Sequence, residues 1–115
     1  MTFGGVCITT IDARRLATFY QVLLQEEPAV DRDHYSFSKL SIWNPGNSEV
    51  ETRSNIWLQF FSPDIDMLYA RLLKELPQIS ILSPPERKSW GAYSFWFHDP
   101  DGNSIAVAQI AETMP

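Results

Sequence analysis

The stretch that decides the fold is Trp90-Gly91-Ala92-Tyr93-Ser94-Phe95-Trp96-Phe97-His98-Asp99-Pro100-Asp101-Gly102-Asn103-Ser104-Ile105. Residues 93–98 form a β-prone aromatic run. Asp99-Pro100-Asp101-Gly102-Asn103 reads as a tight reversal. Asp99 and Asn103 can bond its backbone, Pro100 presets its own φ, and Gly102 can take the positive φ such a turn needs. Residues 104–109 return as a second strand. The turn is read as structural, with no chemistry of its own.

Moving outward from this hairpin, residues 55–61 form an apolar run and hence a strand. Ser62-Pro63-Asp64 predicts a helix start, with serine as cap, proline at the first helical position and an acid in the first turn. Ile65, Leu68, Tyr69, Leu72, Leu73 and Leu76 recur at helical spacing as one apolar face, and Pro77 closes it. Residues 79–82 read as a strand, and Ser83-Pro84-Pro85 as a break. The first half follows the same plan. Residues 6–10 predict a strand, and Asp12 caps a helix with Ala13, Leu16, Ala17, Tyr20, Leu23 and Leu24 on its apolar face. Pro28 ends that helix, and three short strands follow at 29–32, 34–38 and 40–43. Asn44-Pro45-Gly46-Asn47 is a turn, 48–54 a polar connector, and 111–115 a frayed tail. The two helices echo each other. Leu23-Leu24-Gln25-Glu26-Glu27-Pro28 and Leu72-Leu73-Lys74-Glu75-Leu76-Pro77 agree at four of six places, with Tyr20 and Tyr69 at the same offset. A duplicated strand–helix–three-strand unit accounts for this.

Bulk properties narrow the classes. A length of 115 residues fits one domain, and 44% hydrophobic residues suffice for a core. The net charge of −5 gives no general attraction to nucleic acid or anionic membranes. No stretch approaches the roughly 20 apolar residues of a membrane span. A single cysteine, Cys7, allows no internal disulfide. The expectation is a soluble, unexported, cytoplasmic protein with neither nucleic acid nor membrane as partner.

The closing hairpin resembles that of the vicinal oxygen chelate superfamily, the glyoxalase, bleomycin-resistance and dioxygenase fold. Leu16, Phe19-Tyr20 and Leu23-Leu24 resemble its first helix, and Pro63-Asp64-Ile65-Asp66 the start of its second. The resemblance covers nearly the whole chain. It implies an α+β fold of tandem βαβββ units, residues 4–46 and 55–110 of a single domain 1–115, forming a curved mixed sheet, or cup, with helices outside. It also implies a homodimer. Strand parity assigns Leu40, Ile42, Phe95, Phe97, Ile105 and Val107 to the helix side. The cup side receives Gly5, Cys7, Thr9, Ser41, Trp43, Trp57, Gln59, Phe61, Ser94, Trp96, His98, Ala106 and Ala108.

Enzymes of this superfamily hold a divalent metal with His, Gln or Glu from strands one, four, five and eight. Matched residue by residue, those places carry Gly5, Ser41, Trp57 and Ala106, none of them a normal ligand. No cofactor is therefore expected. Cys7 and His98 with one carboxylate would be a noncanonical alternative, and His34 is read as surface. In place of ligands stand Trp43, Trp57 and Trp96, with Trp90 at the mouth of the hairpin. Such surfaces suit flat or apolar ligands. Gln59, Ser94, His98 and Cys7 complete the candidate ligand-binding set. The leading expectation is a metal-independent small-molecule-binding protein, not an enzyme, like the bleomycin-resistance type. Alternatives are a metal-dependent lyase, isomerase or dioxygenase with an unusual ligand set, a metal-free enzyme using His98, and a structural or partner-binding domain whose cup is closed.

Overall fold

The structure, a computed structural model, describes residues 1–46, 56–89 and 91–109. Trp90, the whole of the expected connector and the tail lie outside the described residues. The chain divides into two compact units, Met1–Arg53 and Ser54–Pro115. Each is a βαβββ unit with one helix and a four-stranded mixed sheet.

In the first unit, β1 (Val6–Thr9) leads to α1 (Ala13–Leu24), then β2 (Ala29–Asp31), β3 (His34–Ser36) and β4 (Leu40–Trp43). The sheet order is β1-β4-β3-β2, with β1 parallel to β4 and the other pairs antiparallel. Asp12 caps α1 as expected, its carboxylate accepting from the Arg15 N–H at 3.1 Å. Ala13, Leu16, Ala17, Tyr20 and Leu23 are buried on the predicted face, joined by Phe19, which packs edge-on to Tyr20. Leu40 and Ile42 of β4 are buried with them.

In the second unit, β5 (Trp57–Ser62) precedes α2 (Ile65–Glu75), β6 (Ser80–Arg87), β7 (Tyr93–His98) and β8 (Ser104–Gln109), in sheet order β5-β8-β7-β6. The helix side of this sheet carries Phe95, Phe97, Ile105 and Val107, all buried. Phe95 stacks on Phe97 and meets Tyr69 of α2 edge-on. The predicted parity therefore holds in both units.

Three local expectations are corrected. The cap of α2 is Asp64 and not Ser62. The Asp64 carboxylate accepts from the Met67 N–H at 3.0 Å, and the Gln109 side chain of β8 accepts from the Ile65 N–H at 3.0 Å. Pro63 thus precedes the helix. On the predicted apolar face of α2, Leu73 is exposed. Most importantly, β6 does not break at Ser83-Pro84-Pro85 but runs through it, with register shifts between Ile81 and Ser83 and between Ser83 and Glu86. An edge strand tolerates proline because its outer N–H groups need no ladder partner.

The closing turn is built as its sequence implies. Asp99, nearly fully buried, accepts from the N–H groups of Asp101 and Asn103 and from the Asn103 side-chain amide at 2.8–2.9 Å. Gly102 has φ +87°. β7 is also tied to its helix: the Tyr93 hydroxyl donates to Asp66 at 2.5 Å. That bond, reinforced by desolvation and the Asp66 charge, holds the phenol above its ordinary range. A raised folded-state pKa contributes stability that is fully present below the ordinary tyrosine value and is lost as pH rises through the folded value. Alkaline titration of phenolate absorbance should show Tyr93 ionising late, and Asp66→Ala should move that transition to lower pH. An unchanged titration would refute the link.

Candidate functional site

The helix-free face of the second sheet gathers most of the candidate residues. Cross-strand register places Gln59, Ala106, Trp96 and Ser83 in one row across β5, β8, β7 and β6. The neighbouring rows are Trp57, Ser104, His98 and Ser80, and Phe61, Ala108, Ser94 and Glu86. Between the aromatic strands β5 and β7, β8 offers only Ser104, Ala106 and Ala108. Nothing bulky separates Trp57 from Trp96, and the two indoles meet with centroids 4.5 Å apart and planes tilted by 59°. Trp57 remains 45% exposed and Phe61 61%, so this aromatic surface is open.

Trp96 carries a second neighbour. The Lys88 ammonium lies 4.9 Å from the centre of its ring. Lys88 donates to Ser83 Oγ at 2.8 Å and to Glu86 Oε1 at 2.7 Å, and its side chain is only 10% exposed. The bond from Lys88, followed by that from Ser83, holds the Glu86 carboxyl below the usual carboxylate range. Ser94 differs from the rest of the face. It is 3% exposed, and its hydroxyl has no hydrogen-bond partner among the described residues. Gln59 is exposed and His98 half-buried on the same face.

Cys7 and Trp43 belong to the first unit's sheet. One row there holds Cys7, Ser41, Ser36 and Ala29, and the next Thr9, Trp43, His34 and Asp31. Cys7 is exposed. His34 is not simply surface: it is half-buried and meets Trp43 edge-on at 6.4 Å. Both line a groove of about 530 Å³ with Asp31, Arg32, Asp33 and Asn44. The structure thus brings together Trp57, Trp96, Gln59, Ser94 and His98 on one sheet and Cys7 and Trp43 on another, and Trp90 lies outside the described residues.

Sequence reading missed Lys88, Ser83 and Glu86. The only signal for them was the Ser-Pro-Pro-Glu-Arg-Lys run of residues 83–88, which resembles a loop. His34 could have been found by extending the parity of a 31–34 hairpin to β4.

The Glyoxalase-like domain family matches residues 10–114. The chain belongs to that family. Solved structures agree with this placement of the glyoxalase-like chain. A protein of unknown function from Agrobacterium tumefaciens str. C58 is 26% identical, with a TM-score of 0.81 over 96% of this chain and 94% of that one. A member of the glyoxalase/bleomycin resistance protein/dioxygenase superfamily from Sphaerobacter thermophilus DSM 20745 is 21% identical, with a TM-score of 0.72 over 96% and 98%. A lactoylglutathione lyase from Agrobacterium tumefaciens is 19% identical, with a TM-score of 0.68 over 94% and 92%. The last two establish likeness of fold alone. No curated protein matches the sequence.

The metal that this fold family implies does not fit the residues present. Ser41, Trp57 and Ala106 supply no normal ligand atom. Gly5 supplies no side chain and leaves no room for one: its φ is +133°, and an added Cβ would lie 2.4 Å from the Lys39 carbonyl oxygen. Among the described residues, no group of three or more His, Cys, Asp and Glu side chains is arranged to hold a metal ion. Also among them, no helix is long and apolar enough to cross a membrane.

Proposed function

We propose that this glyoxalase-like chain is a metal-independent binding protein for a flat or apolar small molecule. The observation that carries the reading is the Trp57–Trp96 pair, half open on a helix-free sheet face floored by small residues. Exposed indole surface of this kind gains from stacking and burial of a planar ligand. Gln59, Ser94 and His98 supply polar contacts on the same face. Cys7 and Trp43, on the first unit's sheet, and Trp90, outside the described residues, stay candidates on the sequence alone, and a homodimer is the proposed assembly. The donor set at the family's ligand places favours metal independence.

Titration with a panel of aromatic compounds, read by tryptophan fluorescence, tests the proposal. Saturable quenching is expected, with a melting temperature that rises with ligand. At a hundredfold excess over Kd the gain corresponds to about 2.7 kcal/mol. Trp57→Ala should weaken binding about tenfold with little change in fold, since the ring is partly exposed. Absence of both quenching and thermal shift across the panel would overturn the reading. Sedimentation of the full chain checks the dimer.

A further inference from the structure

We infer that the ligand is a planar ring bearing a hydrogen-bond acceptor, a carbonyl or a carboxylate, and that Lys88 excludes cationic ligands from this site. The inference rests on the binding function proposed above and names the ligand's chemistry. An aromatic site that takes organic cations presents bare π-faces. Here a face of Trp96 already has a resident cation, the Lys88 ammonium at 4.9 Å. Its side chain is nine-tenths buried and anchored by Ser83 and Glu86. A second cation would have to share this indole with the ammonium already seated on it.

Ser94 supplies the other half of the argument. Its hydroxyl is buried and has no partner among the described residues. A buried polar group without a hydrogen bond is costly, and its presence calls for an explanation. Ser94 sits two positions from Trp96 on β7, on the same face. Its cross-strand neighbours are Ala108, which rises only one carbon above the sheet, and Glu86, which already accepts from Lys88. The Lys88 ammonium can only donate, and the Ser94 hydroxyl has a proton to donate. An acceptor on the ligand is the group both can serve, while the ring rests against Trp57 and Trp96.

Calorimetric titration of the full chain with three matched probes tests this: naphthyl methyl ketone, naphthoate and naphthylmethylammonium. The ketone and the carboxylate should bind, and the ammonium should bind at least about tenfold more weakly. Comparing the first two shows whether the acceptor is neutral or anionic. Ser94→Ala should weaken the ketone about fivefold and at the same time raise the melting temperature of the unliganded protein. A merely structural serine would not move the two readouts in opposite senses. Lys88→Met should gain affinity for the ammonium probe, and Lys88→Gln guards against loss of fold in that variant. Ammonium binding as tight as ketone binding overturns the inference and leaves the binding function standing. So does a Ser94→Ala variant that binds the ketone normally, or Lys88 variants that gain nothing. If neither the ketone nor the carboxylate binds while the fluorescence panel yields a ligand without an acceptor, the inference fails and the binding function stands; silence of both the probes and the panel overturns both.

Discussion

Replacing Gly5 by alanine is expected to destabilise the first unit by about 3 kcal/mol, lowering the melting temperature by roughly 10 °C. Two effects act together. Gly5 has φ +133°, a region that L side chains rarely adopt. The new Cβ would also stand 2.4 Å from the Lys39 carbonyl oxygen, which is backbone and cannot swing aside. That same carbonyl accepts the Val6 N–H at 2.9 Å, the bond with which β1 begins its pairing to β4. The clash therefore falls where the sheet order is set. Gly5→His would restore the residue type of the family's ligand and is expected to destabilise at least as much without conferring metal binding. Thermal denaturation with metal analysis decides the matter: a stable Gly5→His variant that retains stoichiometric metal would refute it.

Asp99→Ala is expected to cost about 3–4 kcal/mol. The Asp99 carboxylate accepts three hydrogen bonds in a nearly closed environment, so its removal orphans the N–H groups of Asp101 and Asn103 and the Asn103 amide. Asp99→Asn keeps one acceptor oxygen but turns an N–H₂ group toward a donor, so an intermediate loss is expected. The turn sets the register of β7 against β8, which places Trp96 opposite Ala106. A slip of one residue would carry Trp96 to the helix side. Urea denaturation of both variants checks the order wild type, Asp99→Asn, Asp99→Ala. Equal stability of all three would show that the turn bonds are replaceable by water.

The faces of the strands were legible without coordinates. Alternation alone separates Phe95 and Phe97 from Ser94, Trp96 and His98, because successive side chains point to opposite sides. Of the eight candidate residues, Trp57, Gln59, Ser94, Trp96 and His98 lie on one face of the second sheet, as alternation along its strands implies. Lys88 was not legible. Its position depends on β6 continuing through Pro84-Pro85 with two shifts of register, and prolines in a sequence argue for a break. Nor was Ser94 distinguishable from any other strand serine.

The sequence by itself determined the duplicated βαβββ plan, the closing turn at Asp99–Asn103 and the parity of the strands. These are local properties, set by spacing, by side-chain chemistry and by the φ that glycine and proline allow. Only the tertiary structure decided that Gly5 cannot carry a side chain, that Lys88 lies on Trp96, that His34 meets Trp43 and that the Ser94 hydroxyl has no partner among the described residues. Each of these depends on cross-strand register or on backbone from a distant part of the chain. That information resides in hydrogen bonds between strands, which no single run of residues encodes.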